Sequence, residues 1–274
     1  MLQGDLLLKR FGAGITSVGS LRALVVALAE LGEFGEGMAR GEDAVHIAEA
    51  AVHLFSLGQA WNGLGHLHTV QGDVERAIPV LQQGERIARD ENSPSQLLYL
   101  APDLGYVYLL AGRIADGLAI LEQAVREAAR AQQMRRQSLT LIRLGEGYLL
   151  AGRMTEAVAC AERALALATQ HGERGYEAYG LRSLGEITAH ADPPDAKQAE
   201  SYYREALALA EELGMRPLAA HCHLGLGILY RKVGRGDEAR AELTTAAELY
   251  RAKEMTFWLE KAETELVQLG ARAS

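Results

Sequence analysis

Residues 144–164 read LGEGYLLAGRMTEAVACAERA. The stretch has the pattern of a helix, a tight turn at Gly152 and a second helix, and the rest of the chain varies it. A Leu-Gly pair stands at Leu64-Gly65, Leu104-Gly105, Leu144-Gly145, Leu184-Gly185 and Leu226-Gly227, so the glycines are 40, 40, 40 and 42 residues apart. A second glycine follows seven residues later at Gly72, Gly112, Gly152 and Gly234, and Gly32 carries that series one period towards the N-terminus. Near-constant spacing of this length marks an array of stacked helical hairpins.

Each marked position has a physical reason. Glycine inside a helix costs roughly 1 kcal/mol relative to alanine, so its return at one phase requires a compensating gain. Close contact supplies it: at the first glycine the two helices of a hairpin cross, and a Cβ would hold them apart. The second glycine ends the first helix, where a left-handed residue is needed. Small residues recur on the second helix at Gly37, Ala77, Gly117, Ala157, Ala199 and Ala239, and seven further on at Ala44, Gly84, Ala124, Ala164, Ala206 and Ala246. Lying two turns apart on one face, they let neighbouring helices approach. His68, Tyr108, Tyr148 and Tyr230, three residues after the first glycine, fill the gap between repeats.

The combination of Trp61, Leu64-Gly65, Tyr148, Gly152, Ala157 and Ala164 resembles the tetratricopeptide repeat, with a period of 40 in place of the usual ~34. The resemblance implies an all-α fold, a right-handed superhelical solenoid of about six helix-turn-helix repeats. Their expected bounds are 18–53, 54–92, 95–133, 135–173, 175–213 and 215–252. An N-terminal segment, 1–17, has no clear period, and Leu6, Leu7 and Leu8 read as the end of a truncated helix. Residues 253–274 read as a capping helix and tail, with Met255, Leu259, Ala262, Leu266 and Leu269 on the dry face. Glu260, Lys261, Glu263, Glu265 and Gln268 mark the wet one.

Within the repeats several local expectations follow. Gly41 weakens the second helix of the first repeat. Pro79 sits near the first turn of its helix, where early N–H groups lack partners. Residues 90–95, Asp-Glu-Asn-Ser-Pro-Ser, form a loop that starts the next helix. Asp192 replaces the turn glycine of repeat five, Pro193 and Pro194 are the two extra residues, and Asp195 caps the helix that follows.

Composition narrows the function. The chain has 274 residues, with 28 basic residues against 36 acidic for a net charge of −8, and 23 of the basic residues are arginine. An acidic balance argues against nucleic acid as a partner. No apolar run reaches the ~20 residues of a membrane span, and no signal-peptide pattern is visible. Cys160 and Cys222 lie two repeats apart, which fits a reduced, cytoplasmic protein. There is no Gly-Lys pair for a P-loop, and Gly63/Gly65 and Gly225/Gly227 have no strand before them. No nucleophile elbow or zinc-protease motif is present. His66/His68 and His221/His223 are two apart on a helix, pointing ~200° from each other, so neither pair chelates a metal. No cofactor and no enzymatic activity are expected.

In tetratricopeptide arrays the first helix of each pair lines a concave groove, and the resemblance implies which positions point into it. Two residues before the first glycine stand Gly63, Asp103, Arg143, Ser183 and Gly225; one after it stand His66, Tyr106, Glu146, Glu186 and Ile228. Asn62, Arg182, His221 and Arg231 lie near the same face. Arg143 beside Asp103, and Arg182 beside Glu146 and Glu186, give a mixed-charge strip. Two readings stay open: salt bridges between repeats on a solvated face, worth little, or a groove for a peptide, a partner helix or a small effector. On either reading Gly145→Leu overpacks the hairpin at ~1–3 kcal/mol, whereas Glu146→Ala is expected to cost little.

Residues 213–218 (LGMRPL), 220–227 (AHCHLGLG), 243–246 (LTTA) and 255–259 (MTFWL), with Tyr250-Arg251, Leu31-Gly32-Glu33-Phe34 and the run 77–81 (AIPVL), resemble the tetratricopeptide tail of bacterial multidomain signalling proteins. Those carry a class III nucleotide cyclase-like domain and an AAA-type ATPase module. The resemblance implies a regulatory module that binds a protein, peptide or small effector and relays the signal to attached domains. A free-standing adaptor that docks extended peptides is the alternative, and an enzyme using the groove acids a third. Oligomeric state is not legible.

Overall fold

The computed structural model describes residues 10–11, 14–130, 136–191 and 195–271. Among them are thirteen helices: α1 (Thr16–Leu31), α2 (Phe34–Ala50), α3 (Leu54–Gln71), α4 (Val74–Asp90), α5 (Pro94–Leu110), α6 (Ile114–Arg130), α7 (Gln137–Leu150), α8 (Met154–His171), α9 (Arg174–Ala189), α10 (Ala196–Glu212), α11 (Arg216–Lys232), α12 (Gly236–Ala252) and α13 (Thr256–Ala271). The one departure from all-α is a two-residue antiparallel pair, β1 (Arg10–Phe11) with β2 (Gly14–Ile15). The first helix therefore starts at Thr16, and Ile15 is tied to the next repeat by its N–H, which donates to Ser56 Oγ at 2.9 Å. Leu6, Leu7 and Leu8 lie outside the described residues. No described helix is long and apolar enough to cross a membrane.

The chain forms two compact units, Met1–Arg136 and Gln137–Ser274. In the first, α1/α2, α3/α4 and α5/α6 are hairpins; in the second, α7/α8, α9/α10 and α11/α12 are hairpins and α13 packs on α12. Within each unit the first helix of a hairpin also touches the first helix of the next one, α1 to α3 to α5, and α7 to α9 to α11 to α13. The first helices thus form one continuous inner wall per unit, with α3, α5, α9 and α11 each clamped between its own partner and the preceding hairpin. That is tetratricopeptide-type stacking, in which apolar burial is local to neighbours.

The glycine spacing has the expected cause. A Cβ on Gly65 would stand 2.3 Å from Leu81, one on Gly105 2.5 Å from Leu121, and one on Gly227 2.5 Å from Leu243. Each of those leucines is fully buried, 16 residues after its glycine, and fills the notch the glycine leaves. At Gly145 the residue of that phase is Ala161, and the added carbon would face the backbone of α8 instead, with Ala157 O at 3.3 Å. Gly41 is a similar notch, since a Cβ there would meet Leu64 at 2.2 Å. Packing against Leu64 is what requires glycine there, against its cost to the helix.

At the end of the first helices Gly32, Gly72, Gly112, Gly152 and Gly234 take φ between 72 and 84°. The following N–H reaches back to the helix, as Arg153 N–H does to Tyr148 O at 2.8 Å, closing a Schellman turn. The aromatic residue whose carbonyl is used also holds the turn from outside. Arg113, Arg153 and Arg235 lie 4.0, 4.2 and 4.0 Å from the ring centroids of Tyr108, Tyr148 and Tyr230. Each also pairs with an acid three residues on, Asp116, Glu156 or Glu238.

Several local expectations need correcting. Pro79 is the sixth residue of α4, past the first turn, and Pro102 is likewise interior to α5. The 90–95 loop shrinks to Glu91, Asn92 and Ser93, because Asp90 ends α4 and Pro94 opens α5. Asp192, Pro193 and Pro194 lie outside the described residues, whereas Asp195 caps α10 by accepting from Gln198 N–H at 3.0 Å. In α13 the dry face includes Trp258, with Leu259 and Leu266 only half-buried.

Candidate functional site

The inner walls carry the charged positions singled out by the repeat phase, and most of them are buried. Asn62, His66, Asp103, Tyr106, Arg143 and Glu146 are all under 9% exposed. A solvated strip of weak pairs is therefore not what these residues form.

In the first unit His66 on α3 sits between two carboxylates. Its Nδ1 is 2.9 Å from Asp103 Oδ1 on α5, and its Nε2 is 3.0 Å from Glu30 Oε1 on α1. Both ring nitrogens face acceptors, so both must donate, and the ring is an imidazolium. Burial alone would depress its pKa, but Asp103 and then Glu30 outweigh it and hold the group at about 9. Arg136 completes the cluster: its Nη2 donates to Asp103 Oδ2 at 2.9 Å and its Nη1 to Tyr99 O at 2.6 Å. Asn62 Nδ2 donates to the same carbonyl at 3.2 Å. Two cations thus meet two carboxylates, and the cluster is closed upon itself. With both nitrogens committed, His66 has no lone pair for base catalysis or a metal.

In the second unit the charges run along α7, α9, α11 and α13. Glu146 accepts from Arg143 at 3.1 Å and, through its other oxygen, from Arg182. Arg182 also donates to Glu186 at 2.9 Å, and Arg143 lies 5.3 Å from the Tyr179 ring centroid. Further along, Arg231 pairs with Glu265 at 2.7 Å. His221 Nδ1 is 2.7 Å from Tyr250 Oη, and its ring meets Trp258 edge-on at 4.4 Å. Burial first, and then the nearby Arg182, Arg143 and Lys261, hold His221 well below the usual imidazole value, so it is neutral. Glu146 is the hinge of this network: removing it takes a buried carboxylate from Arg143 and leaves Arg182 with Glu186, so Glu146→Ala cannot be cheap.

His68 and His223 are packed groups. His68 is 4% exposed, with its pKa lowered by burial, and His223 bonds Glu242. Among the described residues no cluster of His, Cys, Asp or Glu could hold a metal, and Cys160 and Cys222 are free thiols. Sequence reasoning missed Glu30, Tyr99 and Arg136 in the first unit, and Trp258, Lys261 and Glu265 in the second. Of the expected wet face of α13, Lys261 is exposed and Glu265 half-buried against Arg231.

Family models for the tetratricopeptide repeat match residues 37–94 and 140–175, so both units contain such repeats. Among solved structures, NprR in complex with its cognate peptide NprX superposes with a TM-score of 0.70 at 16% identity, over 97% of this chain and 76% of that one. A Rap protein complexed with Competence and Sporulation Factor gives 0.63 at 15% identity, over 92% and 85%. A signal transduction ATPase with numerous domains and a tetratricopeptide repeat sensor, from Pyrococcus horikoshii, gives 0.53 at 14% identity, over 88% of this chain and 40% of that one. These likenesses are of fold. Among curated proteins none matches in sequence.

Proposed function

We propose that this array of tetratricopeptide repeats is a non-enzymatic, cytoplasmic interaction module that receives a protein, peptide or small effector on its inner wall. The observation that carries the reading is the buried charge of that wall. Burying ion pairs brings a desolvation penalty that their attraction barely offsets, and apolar residues of similar volume serve stability as well or better. Arg143 and Glu146 are buried, and Arg182 and Arg231 half-buried, in a stack whose core is mostly leucine, alanine and tyrosine. Charge retained there, connected from helix to helix, fits a surface selected for what it recognises.

Resemblance to the tails of cyclase- and ATPase-bearing signalling proteins, and the fold likeness to the Pyrococcus ATPase, support a module that passes its signal to attached domains. Because each repeat touches only its neighbours, a ligand bridging several first helices would change the pitch of the stack. The complexes of NprR with NprX and of Rap with its factor favour a second reading, a free-standing adaptor for extended peptides. Calorimetry of the full chain against candidate ATPase and cyclase-type domains, metabolites and a peptide pool tests both. Domain binding supports the attached module, and peptide binding lost in Arg143→Glu supports the adaptor. Silence in every set overturns the interaction reading.

A further inference from the structure

Three departures from the repeat pattern fall on one groove of the first unit. It runs between the second helices α4 and α6, with α5 as its floor, and Leu97, Leu98, Ala101, Ile120, Glu85 and Glu127 line it. It holds about 450 Å³ of empty space, its open mouth included. The phase of Ala101 is held in other first helices by Trp61, Leu141, Leu181 and His223. Forty residues earlier the same place is full: Trp61 packs into an apolar cluster with Leu57, Val80 and Val45, the counterparts of Leu97, Ile120 and Glu85. Alanine at 101 leaves that place open.

The other two departures are charges. Glu85 stands at a phase otherwise held by Val45, Val125, Leu165, Leu207 and Ala247. Glu127 stands at one otherwise held by Ile47, Ile87, Leu167, Leu209 and Leu249. Both acids are half-buried in the groove. Glu85 is held at 2.7 Å by the exposed Arg89; among the described residues Glu127 has no ion pair and accepts from Gln123 Nε2 at 2.7 Å. Leu98 adds to the apolar wall, at a phase where Gly58, Ser138, Ala178 and Ala220 are small, and it too is only half-buried. The plug is missing, the wall is apolar, and two carboxylates have replaced aliphatic side chains beside it.

We propose that this groove takes an aromatic side chain from a basic segment of a protein partner. The ring occupies the place that Trp61 fills one repeat earlier, against Leu97, Leu98 and Ile120. Flanking cations meet Glu127 and Glu85, and the net charge of −8 favours their approach. An aromatic anchor in an apolar recess supplies affinity, and charges at its rim supply selectivity. This surface lies between second helices, away from the inner wall, and does not depend on what that wall receives.

Three capped pentapeptides, Lys-Lys-Trp-Lys-Lys, Lys-Lys-Ala-Lys-Lys and Glu-Glu-Trp-Glu-Glu, are titrated into the full chain at fixed ionic strength. Methyl NMR of Ile120, Leu97 and Leu98 reads the site, and calorimetry gives Kd. The lysine-tryptophan peptide is expected to shift those methyl signals saturably. Its Kd should weaken ~10-fold in Glu127→Leu, which restores the residue of that phase, and at least as much in Ala101→Leu, which fills the groove. Melting temperatures no lower than wild type show that both variants fold. Arg251→Gln, an exposed site on the second unit, should leave Kd unchanged. Equal affinity for the alanine peptide, or for the glutamate peptide, overturns the proposal. So does a Kd that both groove variants leave unchanged, or silence towards the lysine-tryptophan peptide. A wild-type dimer in sedimentation that Ala101→Leu makes monomeric assigns the groove to a second copy, and overturns it too. The inner-wall reading stands through each of these outcomes, because its ligands are tested separately.

Discussion

His66 Nδ1 lies 2.9 Å from Asp103 Oδ1, and both side chains are buried to within 1% of completely. The pair joins α3 to α5, and Glu30 on the far side of the ring joins α3 to α1. Three successive first helices are thus pinned through one imidazolium. Its pKa, about 9, lies above the ordinary 6.5. A group whose folded pKa is raised stabilises fully below the unfolded value and loses that contribution as pH rises through the folded one. Stability should therefore fall by roughly 3 kcal/mol between about pH 6.5 and 9. Urea unfolding across that range, with an NMR titration of the His66 ring, checks this. In Asp103→Asn the ring should titrate at lower pH, and stability at pH 7 should drop by about 3–5 kcal/mol.

Glu146 is the corresponding element of the second unit. Glu146→Ala leaves Arg143 and Arg182 without their shared carboxylate, with an expected loss of about 3–5 kcal/mol. Glu156→Ala, an exposed pair one repeat-half away, should lose at most about 1 kcal/mol. Denaturation midpoints of the two variants compare them directly.

Glycines of the stack divide by what faces them. A Cβ on Gly117 would stand 2.7 Å from the carbonyl oxygen of Gly105, a backbone atom that cannot step aside. Gly117→Ala should cost about 1–3 kcal/mol. Gly19, inside α1, has open space around it, and Gly19→Ala should gain up to about 1 kcal/mol from helix propensity. Thermal melts of the two single variants should move in opposite directions.

Val52 is a β-branched residue held at φ 48° and 86% exposed. It occupies the position after α2 that Asn92, Gly172, Gly214 and Glu254 occupy after later second helices, all at positive φ. A left-handed conformation costs an ordinary residue about 1–2 kcal/mol, and glycine returns part of the gain through its looser unfolded chain. Val52→Gly should raise stability by about 0.5–1 kcal/mol in chemical denaturation.

Hairpin architecture was legible because it rests on backbone needs that only certain residues meet. Gly65, Gly105 and Gly227 leave notches for specific leucines, and Gly72, Gly112, Gly152 and Gly234 supply left-handed turns; both leave a fixed spacing in the chain. Phase also placed His66, Asp103, Arg143 and Glu146 on the inner wall. It did not give their depth, because a helical wheel reports direction and not how closely the next repeat approaches. Arg136 reaches Asp103 from 33 residues away, a distance at which no local pattern speaks. Trp258 and Lys261 escaped for a related reason. In the last helix the Leu-Gly pair, Leu269-Gly270, stands at the C-terminal end and out of phase with the others, so the face the helix turns towards α11 and α12 had to be seen in three dimensions.

The most direct test of the receiving wall is NMR of the ¹⁵N-labelled chain during titration with the candidate domains, metabolites and peptide pool. A ligand received there should shift, saturably, amides on the first helices of the hairpins. Shifts confined to the second helices would contradict it.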